Sequence, residues 1–197
     1  MKKRPAILGA AAIALLAQSD VQAANLTVVN VNAPAVNCVF DASCKVIVSD
    51  NVGSLQFSAL GGGARLQSRT FAAKPGTPGA GNTAYLYRVD LTQGEKWTDC
   101  VAGMVINFGP ITKLTYPQNA PGHVFVITTG GVGSVGISAA VQDGDVITFS
   151  FSKYLCTGQT SFFFGLAAPK TPKTGTATLY GIGFPPIVQT VATVPQH

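Results

Sequence analysis

Histidine is almost missing from this chain: His123 is internal and His197 is the last residue. Glutamate occurs once, as Glu95, and tryptophan once, as Trp97. Charged residues reach only 11%, against roughly a quarter in ordinary soluble domains. Each shortage removes a class of chemistry. Zinc and copper centres draw on closely spaced Cys and His ligands. Two histidines far apart in the chain cannot supply such a set, so no metal or other cofactor is expected. A Ser-His-Asp triad would have to use His123, which follows Pro121-Gly122, and no serine sits in a nucleophile-elbow context. A lone turn histidine is more simply a solvated or capping residue. A basic stripe is missing too. The formal charge is +5, but Lys2, Lys3 and Arg4 cluster at the start and the other Lys and Arg residues are scattered singly. Neither nucleic acid nor an acidic membrane surface is therefore indicated as a partner. Finally, no stretch of about ten residues or more keeps a helical apolar period, which argues against long amphipathic helices.

What is present begins with an export signal. Met1-Lys2-Lys3-Arg4 is basic, the run from 6 to 17 is apolar, and a polar stretch ends in Val21-Gln22-Ala23. That is the three-part plan of a secretory signal peptide over residues 1–23, with cleavage expected after Ala23. About a dozen apolar residues are too few to span a bilayer core, which needs roughly 20, so the segment is not a transmembrane anchor. No cysteine marks the cut, against a lipoprotein, and Lys3-Arg4 is not a twin-arginine pair, which points to export in the unfolded state. Residues 24–197 are then expected to form a single domain that is secreted, surface-bound or periplasmic.

Four cysteines follow: Cys38, Cys44, Cys100 and Cys156. An even count in an exported chain reads as two disulfides, with three possible connectivities. Cys38–Cys44 would pinch a local turn. Cys100–Cys156 would tie two distant strands, because Cys100 opens one strand region and Cys156 closes another.

Gly and Pro are abundant, at 22 and 12 residues, and short runs rich in Val, Thr, Phe and Tyr lie between them. Strands are expected at 26–31, 44–48 (CKVIV), 54–60, 66–71, 85–91, 101–108, 111–116, 124–128, 146–152, 162–164 and 176–182. The segment 37–44 is expected to be a stapled hairpin or Ω-like loop, 74–82 a long surface loop, and the tail from Pro185 a late edge strand or a free end. In YLYRVDL, alternation puts Tyr85, Tyr87, Val89 and Leu91 on one face and Leu86, Arg88 and Asp90 on the other. The pattern predicts an all-β, antiparallel β-sandwich of jelly-roll type. An outer-membrane barrel is the rival, and it fails on short strands, Pro-rich loops and the cysteines.

Candidate sites are few. Gly131 to Gly136 matches G-x-G-x-x-G, but the following ISAAV is too short for the helix a dinucleotide site requires. Asp143-Gly144-Asp145 reads as a type I′ or strand-entry turn. Tyr85, Tyr87 and Trp97 are the candidate binding residues, since exposed aromatic rings can stack on sugars; core packing is the competing role for each.

Four segments, LQSRTF at 66–71, YLYRVDL at 85–91, VFVITTGGVGSVGI at 124–137 and SFFFGLA at 161–167, together resemble a group of uncharacterised exported bacterial proteins. The resemblance covers most of 37–168, takes in Cys100 and Cys156, and implies export and a single domain. It implies no reaction, ligand or catalytic residue. The expected function is accordingly non-enzymatic: extracellular binding, adhesion, or surface or matrix structure, with a glycan or cell-surface component as partner. Two alternatives stand beside it. One is a polysaccharide hydrolase using Asp99, Asp143 or Asp145; the other is a self-assembling subunit that donates residues 24–33 as a strand.

Overall fold

The computed structural model describes residues 23–54, 64–94, 100–169 and 171–193. The signal segment up to residue 22, all but the first residue of the weak strand expected over 54–60, and Glu95, Trp97, Asp99 and His197 lie outside the described residues. Strands β1 (Ala24–Leu26) and β2 (Val28–Asn32) lead into the helix α1 (Ala33–Phe40). Then come β3 (Ser49–Ser54), β4 (Arg65–Ala72), β5 (Thr83–Asp90), β6 (Cys100–Asn107) and the short β7 (Leu114–Thr115) and β8 (Pro121–Gly122). The chain continues through β9 (Val124–Thr129), β10 (Ile137–Asp143), β11 (Val146–Cys156), β12 (Phe164–Ala168), β13 (Lys173–Ile182) and β14 (Ile187–Thr193).

Two six-stranded sheets form a sandwich, as the sequence predicts. Sheet A runs β1-β10-β11-β6-β13-β14 and sheet B runs β2-β9-β12-β5-β4-β3, while β7 and β8 pair by themselves. Among the described strands every pairing is antiparallel except β2 with β9, which is parallel. Sheet B is therefore mixed. The run expected as one strand over 26–31 breaks at Thr27, so that β1 becomes an edge of sheet A and β2 an edge of sheet B.

Alternation explains how the sheets meet. On β11, Ile147, Phe149 and Phe151 are buried, and on β5 Tyr85, Tyr87 and Val89, followed by Leu91, point the same way. These side chains interdigitate with Met104, Ile106, Phe164 and Leu166 to make the core between the sheets. Tyr85 meets Phe108 edge-on at 5.0 Å, and Phe149 lies 5.1 Å from Phe164. Gly165 is the narrow point of sheet B: a Cβ there would lie 2.6 Å from the Tyr85 carbonyl oxygen and 2.7 Å from the Phe125 ring.

A second core lies on the outer face of sheet B. Val36, Val39 and Phe40 of α1, spaced to fall on one helical face, cover Phe71, Leu86, Phe125 and Ala167. Phe40 meets Phe71 edge-on at 5.2 Å. The expected loop around Cys38 is thus a two-turn helix. Pro34 suits its first turn, where a backbone N–H has no partner in any case. The strand expected at 44–48 is corrected as well: 45–48 pairs with no described strand, and Ile47 is 86% exposed. The tail forms β14, an edge of sheet A.

Both disulfides have the expected pairing, Cys38–Cys44 and Cys100–Cys156. Cys100 and Cys156 are direct register partners on β6 and β11. The β10–β11 hairpin turns on Gly144 (φ +56), while Asp145 avoids positive φ. Glycine at the first central position is the pattern of a II′ turn, not I′. No described helix is long and apolar enough to cross a membrane.

Candidate functional site

The sequence-derived binding residues do not form a surface. Tyr85 and Tyr87 are both 0% exposed. Burial pushes both phenols well above their ordinary range. A ring enclosed between two sheets cannot stack on a sugar, so these tyrosines are core residues. Trp97 lies outside the described residues. The two sheet-facing sides of β5 explain the outcome: one is closed by sheet A, and the other by α1.

Asp41, Asp50 and Asp90 have structural tasks. Asp41 accepts from the Ser43 backbone N–H at 2.9 Å and pairs with Lys74 Nζ at 2.6 Å. The Lys74 contact first, then the Ser43 hydrogen bonds, hold its carboxyl down to about 2. Asp50 takes a bidentate grip from Arg69, at 2.6 and 2.8 Å, which lowers its pKa. Asp90 accepts from Thr92 and stands 3.6 Å from Arg88, the partner expected from the strand alternation. Asp143 and Asp145 share one hairpin tip and so cannot stand on opposite walls of a cleft, as acid and base across a glycosidic bond must. Among the described residues no group of three or more His, Cys, Asp or Glu side chains gathers into a metal-binding arrangement. His123 Nδ1 accepts the Thr27 backbone N–H at 3.0 Å. Burial first, then the nearby Lys113, lowers its pKa.

Two concavities lie on the outer face of sheet B, on either side of α1. On one side an open groove of about 650 Å³ runs between Cys38 and Val39 of the helix, Pro78, and the turn at 115–119. The Tyr116 ring forms part of its floor and packs 5.1 Å from Phe125. Gln118 holds a left-handed φ of +63° at its rim. On the other side lies a smaller, deeper pocket of about 250 Å³. Phe71, Leu86, Ile127 and Phe163 wall it, Val46, Val48 and Val132 stand at its lip, and Asn37 and Arg69 are its polar side chains.

Of three consecutive phenylalanines only Phe163 lines that pocket, because the run splits between layers. Phe164 enters the core between the sheets, whereas Phe163 joins the outer core. The guanidinium of Arg69 sits 4.8 Å and that of Arg88 5.2 Å from the Phe163 ring centroid. Cation–π contact of this kind holds a charged group flat against an apolar wall. Sequence reasoning missed Arg69, Phe163 and Asn37. The available signal was in LQSRTF, where alternation places Arg69 on the same strand face as Phe71; an arginine beside a buried aromatic on a central strand calls for a partner. Comparison with protein-family models, curated proteins and solved structures finds no match to this chain.

Proposed function

We propose that this is an exported, non-enzymatic β-sandwich that acts by binding an extracellular or cell-surface target, through the outer face of sheet B. One observation carries the reading: a disulfide-stapled helix crosses that face and leaves a concavity on each flank. Loops and helices held by a rigid sheet are the usual place for recognition. The paired cysteines fit an oxidising compartment, and the basic-apolar-polar start of the sequence fits export. A glycan array and a pull-down on whole cells test the role. Retention on a defined target that is lost when Pro78 and Gln118 are replaced by bulky charged residues supports it. Silence in both assays, with a hydrolytic activity in a substrate screen, overturns it in favour of the polysaccharide hydrolase.

A second reading rests on the amino-terminal strands. Residues 24–32 supply an edge strand to both sheets, so a copy that lends this segment to a neighbour would leave two edges to be filled in turn. Size-exclusion chromatography of the chain with and without residues 24–33 separates assembly from a monomeric binder.

A further inference from the structure

We propose that the pocket between α1 and Phe163 binds a small amphiphile with an apolar body and a terminal carboxylate, Arg69 being the residue that takes the carboxylate. The inference rests on the binding role proposed for this face and names the ligand class. Its size limits the ligand first. A cavity of about 250 Å³ falls just below the ~300–1,000 Å³ of pockets that take drug-sized molecules. Its walls set the body: Phe71, Leu86, Ile127 and Phe163 offer no donor or acceptor side chain, so a polyol would lose its hydration there without replacement.

Arg69 sets the head group. A guanidinium has five N–H donors. Asp50 takes one from Nε and one from Nη2, which leaves three, including both on Nη1. Phe163 fixes the plane of the group from one side. Arg88 lies against the same ring, and its Nε–H is buried without a hydrogen-bond partner. Two guanidinium groups thus converge on one aromatic ring. Asp50 occupies only the Nε–Nη2 edge of the Arg69 guanidinium, so Nη1 is left for a second acceptor. Asn37 lines the same pocket and brings a neutral amide that can donate to the second carboxylate oxygen. The lip is apolar and open to solvent: Ile47 precedes Val48 at 86% exposure, and Val132 is 49% exposed. A chain leaving the pocket would cover them.

The test is an amide chemical-shift titration of the purified protein with octanoate, octylammonium and octanol as probes. Octanoate is expected to shift the amides of Val48, Arg69, Gly131 and Val132 saturably, and to bind about tenfold tighter than octanol. Octylammonium should bind more weakly than either. Arg69→Gln should bring octanoate down to the octanol level without changing octanol. If that variant unfolds because Asp50 loses its partner, Val132→Asp serves in its place: it puts a carboxylate at the lip, far in role from the Asp50 pair, and should weaken octanoate most. Equal binding of all three probes overturns the carboxylate assignment. No saturable shift at these amides, while the protein still binds in the glycan or whole-cell assays, overturns the pocket and leaves the wider role standing.

Discussion

His123 stands where the chain passes from one sheet to the other. Its ring accepts the Thr27 N–H, and its own backbone N–H donates to the Thr27 carbonyl at 2.9 Å. Accepting at Nδ1 requires a neutral imidazole with its proton on the other nitrogen. Because burial lowers the pKa in the folded protein, the folded state binds this proton less readily than the unfolded one. The stability it contributes is therefore complete above the ordinary imidazole range and is lost as pH falls toward the depressed folded value. Hydrogen exchange at the Thr27 amide, corrected for intrinsic rate, should show protection that declines over that interval. His123→Phe should show low protection at every pH. Protection that ignores pH in the unmodified protein would detach the histidine from the junction. Nothing near Pro121-Gly122 in the sequence marks this role, since the partner is distant along the chain. The tyrosines of β5 teach the complementary lesson: their common face was legible by alternation, but not whether that face met water or another sheet.

Helix α1 is held at its carboxyl end by a clasp. The Asp41 N–H donates to the Asn37 carbonyl, Cys44 N–H donates to the Asp41 carbonyl, and the Asp41 side chain reaches both Ser43 and Lys74. These bonds turn the chain so that Cys44, at a φ of +58°, meets Cys38. Since the Asp41 carboxyl is held to about 2, its contribution is present above the unfolded carboxylate range and is lost as pH falls through about 2. Urea midpoints should fall between about pH 4 and pH 2, and Asp41→Asn should lower the midpoint at pH 7 and flatten that fall. A variant with the same acid sensitivity as the parent would show that the clasp does not titrate. Two turns of helix with Val36 and Val39 in them were not legible as a helix, because eight residues give too short a period to detect and β-branched residues favour strands by themselves. The CKVIV run misled in the opposite direction. Its composition suits a strand, but it is left at the lip of the pocket, where no described strand pairs with it.

At the scale of the whole molecule the two bridges are unequal. Cys38–Cys44 closes a separation of 6 residues and Cys100–Cys156 one of 56. Loop-closure entropy assigns about 2 kcal/mol to the short loop and about 4 kcal/mol to the long one, as upper estimates. Replacing Cys100 and Cys156 together by Ala should therefore lower the midpoint of thermal unfolding more than replacing Cys38 and Cys44. The reverse order would mean that the helix clasp, and not the β6–β11 tie, limits stability. Compartment and cysteine spacing made the pairing legible before the fold, and strand content made the sandwich legible. Strand order was not, because each pairing depends on which distant edge is left free, as the parallel β2–β9 pair illustrates. That arrangement also imposes a timetable. Ala24 faces Gln142 and Val28 faces Val124, so β1 and β2 must wait for strands that emerge roughly a hundred residues later, a separation over which loop closure is slow. Through that interval β1 and β2 have no strand to pair with. The emerging chain therefore passes through a stage in which any passing extended peptide can pair with β1 or β2 before β10 and β9 arrive.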